Sequence, residues 1–228
     1  MRRPLMLLAV LAACDQPQTQ TQTQTQPPAL PPTSSTSDAA APAGPPPRAH
    51  TAPPSTLKDF ALLDLDTYER PAGLTQDGVE VVGMRWTDKN GPNVAVLIHQ
   101  VEDGGDVTNR RLWAFHYIDG PPPPRILRKV QDKVESCAFD NNAHFIDDSL
   151  EVTDVDADGL AEVWFAYQLG CTSDVSPLPL KLLVIENGEK YILRGTTMKG
   201  APTEEPPRAR WPAGVRDRAG ARWKELSR

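Results

Sequence analysis

Asp154, Asp156, Asp158 and Glu162 stand at positions 1, 3, 5 and 9 of the run Asp154-Val155-Asp156-Ala157-Asp158-Gly159-Leu160-Ala161-Glu162. Alternating carboxylates of this kind bring hard oxygen donors to one centre. Gly159, at position 6, permits the sharp turn, and Leu160, at position 7, offers a main-chain carbonyl. Together these are the donors an oxygen-ligated calcium loop requires. Four acids on one short loop also repel one another unless a cation or solvent screens them. In an EF-hand the closing bidentate Glu falls at position 12, which here is Phe165 in an apolar run. The acid comes early, as Glu162, so the spacing rules against an EF-hand. It predicts a structural calcium clipped across a β-hairpin, held by Asp154, Asp156, Asp158, the Leu160 carbonyl and Glu162. An acidic turn with no metal is the competing reading.

Acids at positions 1, 3, 5 and 9 resemble the calcium loops of FG-GAP or VCBS-type repeats in integrin α-subunit propellers. The likeness covers about a dozen residues and occurs once, so it implies the loop and not a whole propeller. A broader likeness runs through Asp106-Val107-Thr108-Asn109-Arg110-Arg111-Leu112-Trp113, Cys137, Ser149-Leu150-Glu151-Val152-Thr153-Asp154, Cys171-Thr172-Ser173-Asp174-Val175-Ser176-Pro177 and Lys190-Tyr191-Ile192-Leu193-Arg194-Gly195. These segments resemble a family of small exported bacterial proteins named for surface polysaccharide biosynthesis. The resemblance implies an envelope role and assigns no catalytic residue.

The elements that must position the loop read as hairpins. Residues 79–86 and 93–99 are strand-like, with the turn cluster Asp88-Lys89-Asn90-Gly91-Pro92 between them. Residues 111–118 alternate like a further strand and are ended by Pro121 to Pro124, and residues 125–134 are patterned more weakly. Residues 150–153 and 162–167 flank the acidic loop, and the second of these is apolar on both faces, as a central strand is. Residues 180–186 and 190–197 make a third hairpin through Asn187-Gly188. Helical patterning is confined to residues 58–65 and 215–226, the latter with Val215, Ala219, Trp223 and Leu226 near one face. The expected fold is mainly β: antiparallel hairpins in a sandwich or propeller-fragment-like sheet, with a short helix at each end.

At the other end of the chain, Arg2 and Arg3 precede an apolar run that finishes Leu11-Ala12-Ala13-Cys14. The run is too short to span a bilayer, and the arrangement looks like the lipobox of a bacterial lipoprotein. That resemblance implies removal of residues 1–13, lipid on Cys14, and a domain held at a membrane surface outside the cytoplasm. An ordinary secretory signal with an incidental cysteine is the alternative. Residues 15–56 carry eleven prolines and a Gln-Thr alternation from Gln18 to Gln26, with no aromatic residue. They cannot offset the entropy of folding, so residues 14–56 read as a lipidated cysteine and disordered tether. Its 42 residues after Cys14 reach on the order of 100 Å when extended.

With Cys14 assigned to lipid, Cys137 and Cys171 remain, and an even pair in an exported domain is most simply a disulfide. Two buried free thiols are the competing reading. His99, His116 and His144 show no zinc-ligand spacing to either cysteine. Residues 57–228 hold nearly all the large apolar side chains and read as one domain.

Charge narrows the partners. Residues 57–198 hold 24 acidic and 13 basic side chains, whereas residues 199–228 hold four acidic and eight basic. The acidic body argues against nucleic acid, and the basic tail is expected on that body or on anionic lipid. No Gly-x-Ser-x-Gly elbow, His-Glu-x-x-His helix or phosphate-binding glycine loop occurs. The sequence is therefore expected to encode a calcium-stabilised envelope lipoprotein that binds or scaffolds a surface component such as a polysaccharide or envelope protein. The alternative is a glycan hydrolase drawing a carboxylate pair from Asp140, Asp147, Asp148 and Asp174. Trp86, Trp113 and Trp211, where exposed, would stack on sugar rings, although most of them are expected to be core.

Overall fold

The computed structural model describes residues 57–227; the segments read above as signal peptide (1–13) and as lipidated cysteine and tether (14–56) lie outside them. Among the described residues no helix is long and apolar enough to cross a membrane. The chain runs through β1 (Lys58–Leu62), β2 (Val79–Asp88), β3 (Gly91–Asp103), β4 (Thr108–Ile118) and β5 (Arg125–Cys137), which pair in that order as one antiparallel sheet. Short strands β6 (Asp140–Asn141), β7 (His144–Phe145) and β8 (Glu151–Thr153) lead to β9 (Glu162–Gln168). β10 (Cys171–Thr172), β11 (Pro179–Glu186), β12 (Glu189–Thr196) and β13 (Thr203–Glu205) follow, and helix α1 (Val215–Leu226) closes the chain. The second sheet has the order β13-β12-β11-β9-β7, with β8 also on β9, and β10 pairs with β6 as a separate ribbon. The fold is mainly β and sandwich-like, as the hairpin pattern predicts.

The inner faces of the two sheets interdigitate. Met84, Trp86, Ala95, Leu97, Leu112 and Ala114 from the first meet Phe145, Val163, Phe165, Tyr167, Leu183 and Ile185 from the second. Both outer faces are covered as well. Val94, Val96, Ile98, Trp113, Phe115 and Tyr117 pack under Leu63, Tyr68 and Leu74 from the segment between β1 and β2. The Tyr68 and Tyr117 hydroxyls hydrogen-bond there at 2.9 Å. On the far side Trp164, Ala166, Leu182, Val184 and Leu193 lie under Trp211 and the Val215, Ala219 and Trp223 face of α1. Two covered faces explain why residues 93–98 and 162–167 are buried continuously instead of alternately.

The predicted helix at residues 58–65 is corrected. Residues 58–62 form β1, antiparallel to β2 with Lys58 opposite Thr87 and Leu62 opposite Met84, and a bulge between Lys58 and Ala61. A segment this short cannot nucleate a stable helix alone, whereas the open edge of β2 offers it backbone partners. The C-terminal helix is as predicted. Two of its basic side chains lie on the acidic body, where Arg218 pairs with Glu151 and Arg222 donates to the Asp148 carbonyl at 3.1 Å, while Arg216 pairs with Glu204 of the tail itself. The Arg218 guanidinium also stands 5.6 Å from the Trp164 ring centre.

Cys137 and Cys171 form a disulfide with a Cα–Cα separation of 5.5 Å. Cys137 ends β5 of the first sheet, and Cys171 lies three residues beyond β9 of the second. The bond therefore staples the two layers together.

Candidate metal centre

Three turns converge at one end of the sandwich: the β2–β3 turn, the β8–β9 loop that holds the acidic run, and the β11–β12 turn. Asp88 organises the first two. Its carboxylate accepts from the Trp86 indole N–H at 3.1 Å, the Asn90 main chain at 2.7 Å, the Asn93 amide at 2.8 Å and the Ala161 main chain at 3.2 Å. The Lys89 N–H donates to the Gly159 carbonyl at 3.0 Å. Asn90 donates to the Asn187 side chain at 3.0 Å, and Arg128 donates through Nε to the Gly188 carbonyl at 2.6 Å. The end of the sandwich is thus fixed before any ion is considered.

Within the loop, the short bonds are local. The Leu160 N–H donates to Asp158 Oδ1 at 2.7 Å, and the Asp158 N–H donates to Asp156 Oδ1 at 3.2 Å. The Gly159 N–H donates to Asp154 Oδ1 at 3.4 Å. These turns need left-handed backbone at Ala157, with φ 59°, and at Gly159, with φ 84°. The left-handed backbone is what calls for glycine at 159, since a Cβ there would meet only the flexible end of the Lys89 side chain, at 2.6 Å.

Glu162 is completely buried. Its carboxylate accepts from the Val155 N–H at 2.9 Å and from the Thr153 hydroxyl at 2.6 Å, and that hydroxyl accepts from the Trp164 indole at 2.7 Å. Burial pushes its pKa up to about 6, against the pull of the Thr153 and Val155 hydrogen bonds. Glu162 closes the two strands of the hairpin onto the loop, the position in which the spacing placed it.

One carboxylate oxygen each of Asp154, Asp156 and Glu162 lie within 4.8 Å of one another, and so do oxygens of Asp156, Asp158 and Glu186. The loop acids fall into two triads that share Asp156, with Asp154 and Glu162 in one and Asp158 in the other, and these clusters can hold a metal ion. Leu160 sits in the same turn, with its N–H on Asp158. Glu186 is the residue that sequence spacing did not find. It ends β11, immediately before the Asn187-Gly188 turn, and the pairing of β11 with β9 sets it directly opposite Glu162. Burial, and next the charge of Asp156, push its pKa up to about 7. The only sequence signal was an acid at the turn end of an apolar strand.

The other candidate acids lie outside this cluster and are exposed. Asp140 is exposed in β6, Asp147 and Asp148 lie exposed between β7 and β8, and Asp174 is in the exposed loop after β10. Asp174 accepts from the Ser176 N–H at 2.9 Å and the Thr172 hydroxyl at 2.7 Å, which hold its pKa below the carboxylate range. That is opposite to what a general acid needs. Trp86, Trp113 and Trp211 are not sugar platforms: they are 1%, 5% and 8% exposed and belong to the three cores. Each spans an apolar layer that a smaller side chain would leave empty. No family model, no curated protein and no solved structure matches the chain, so its function is read from the site.

Proposed function

We propose that this protein is an envelope lipoprotein, anchored through lipid on Cys14, whose calcium-held β domain binds or scaffolds a surface component such as a polysaccharide. The observation that carries this reading is the disulfide stapling an acidic β-sandwich, a bond that persists outside a reducing cytoplasm. It agrees with the lipobox-like segment at residues 11–14 and the proline-rich tether after it. The acids at the sandwich end supply an oxygen-only donor set suited to calcium, with Asp154, Asp156, Asp158 and Glu162 as ligands together with the Leu160 carbonyl.

For the surface component, the supporting feature is an open groove of about 460 Å³ beside β1, lined among others by Asp59, Phe60, Arg85, Pro92 and Asp119. Phe60 is 51% exposed there, between charged side chains, a composition that suits stacking on a sugar ring with polar contacts around it. A glycan array probed with the purified full-length protein tests the reading, with Phe60→Ala beside it. The expected result is binding to envelope-type polysaccharides, weakened roughly tenfold by the loss of one stacking contact. An array with no bound glycan would end the polysaccharide assignment.

Anchoring has its own test. Cys14→Ala should leave an unprocessed precursor that takes up no fatty-acid label, because the acyl chains supply the stable membrane anchor. Equal labelling of wild type and variant would sink the lipoprotein reading.

A further inference from the structure

We infer that Glu186, supplied by strand β11 and not by the loop, is a direct ligand that closes the metal shell, so that the cation bridges the β8–β9 loop to the neighbouring β11–β12 hairpin. This inference rests on the calcium reading above and sharpens it.

The first ground is the state of the Glu186 carboxylate. The residue is 8% exposed, and among the described residues its carboxylate has neither a hydrogen-bond donor nor an ion-pair partner. A carboxylate in that condition is costly to bury, and buried polar groups in folded proteins are nearly always satisfied. Its neighbours differ. Glu162 accepts from Val155 and Thr153, Asp158 from Leu160, and Asp156 from Asp158. Glu186 is the acid of the cluster that the protein itself leaves unserved.

Register supplies the second ground. Glu186 and Glu162 face each other directly across β11 and β9, both buried. Like charges at directly opposed positions destabilise a sheet, the more so where burial limits their screening by water. A divalent cation on Glu186, Asp156 and Asp158 would offset that repulsion, and Asp156 links it to the Glu162 triad.

Distance is the third. Oxygens of Asp156, Asp158 and Glu186 lie within 4.8 Å of one another. Ligand oxygens on one calcium, each roughly 2.3–2.6 Å from the ion, stand at most about 5 Å apart. The three fit one coordination sphere. Glu186 thereby takes the closing role that position 12 of a sequence-local loop would fill and that Phe165 cannot. A cage made mainly of protein carboxylates favours calcium over magnesium, which keeps several of its waters.

Calorimetric titration of the purified full-length protein with calcium tests this, using wild type, Glu186→Gln, Glu186→Asp and, as a control, Glu189→Gln on the exposed side of the same turn. Glu186→Gln should bind calcium roughly 10- to 100-fold more weakly. Its calcium-free form should melt no lower than calcium-free wild type, because one of two opposed charges has gone. Glu186→Asp, charged but shorter, should fall between them, and Glu189→Gln should match wild type. Wild-type affinity in Glu186→Gln overturns the inference and leaves the calcium reading standing, whereas a wild type that binds no calcium removes both. If Glu186→Gln does not fold, Glu186→Asp decides, and wild-type affinity there overturns the inference equally.

Discussion

Replacing Cys137 and Cys171 together by alanine should lower the stability of the folded domain by about 4 kcal/mol. The two residues are 34 apart in sequence, and the chain-entropy estimate for a loop of that length gives this value, less any strain relieved in the native state. For a domain of this size that corresponds to a melting temperature lower by roughly 10 °C. The location of the bond sharpens the expectation. It joins the end of β5 in one sheet to the ribbon just beyond β9 in the other, so its loss removes a covalent link between the layers and leaves the apolar interior to hold them. Urea unfolding of wild type and the double variant measures the difference. A shared midpoint would contradict the expectation, and so would two titratable thiols in unfolded, unreduced wild type.

Calcium removal should be the next largest effect, and its size should depend on pH. An ion that binds only the folded state adds RT ln(1 + [L]/Kd), or about 2.7 kcal/mol at a hundredfold excess over the dissociation constant, worth roughly 5–10 °C in melting temperature. In the metal-free protein burial raises Glu162 to about 6 and Glu186 to about 7. A raised carboxylate pKa means that the folded state holds protons the unfolded chain has released. The associated stability is fully present below about pH 4.5 and is lost as pH rises through 6 and 7. Calcium competes with those protons, so the increment it adds should be small at pH 5 and largest at pH 7.5. His116, which burial holds at about 4, destabilises the fold as pH falls from 6.5 toward 4. It acts with and without calcium, so the difference between loaded and chelated protein isolates the acidic cluster. Thermal melts at pH 5 and 7.5, with calcium and with chelator, beside Asp156→Ala, measure it. A melting temperature indifferent to chelator and to Asp156→Ala would refute the site. An activity lost on chelation with the melt unchanged would move the loop from scaffold to chemistry.

Three features of this protein are local, and the sequence by itself determined them. The hairpins on either side of Asp88 to Pro92 and around Asn187-Gly188 follow from period-two patterning and turn residues that accept the needed backbone angles, with φ 43° at Asn187 and 84° at Gly188. The face of α1 follows from apolar spacing near 3.6 residues. The grouping of Asp154, Asp156 and Glu162, with Asp158 beside Asp156, follows from one loop and one glycine.

What required the tertiary structure is whatever depends on a partner distant in sequence. Lys58 to Leu62 became a strand because β2 presented an unpaired edge, a fact no local propensity contains. Trp86, Trp113 and Trp211 became core because each sheet is covered on both faces, and an aromatic residue in an isolated strand does not reveal whether anything lies above it. Glu186 joined the acidic cluster because the register of β11 on β9 sets it opposite Glu162, 24 residues earlier in the chain. A one-residue slip would have turned it to the other face, so its part in the site was decided only by the assembled sheet.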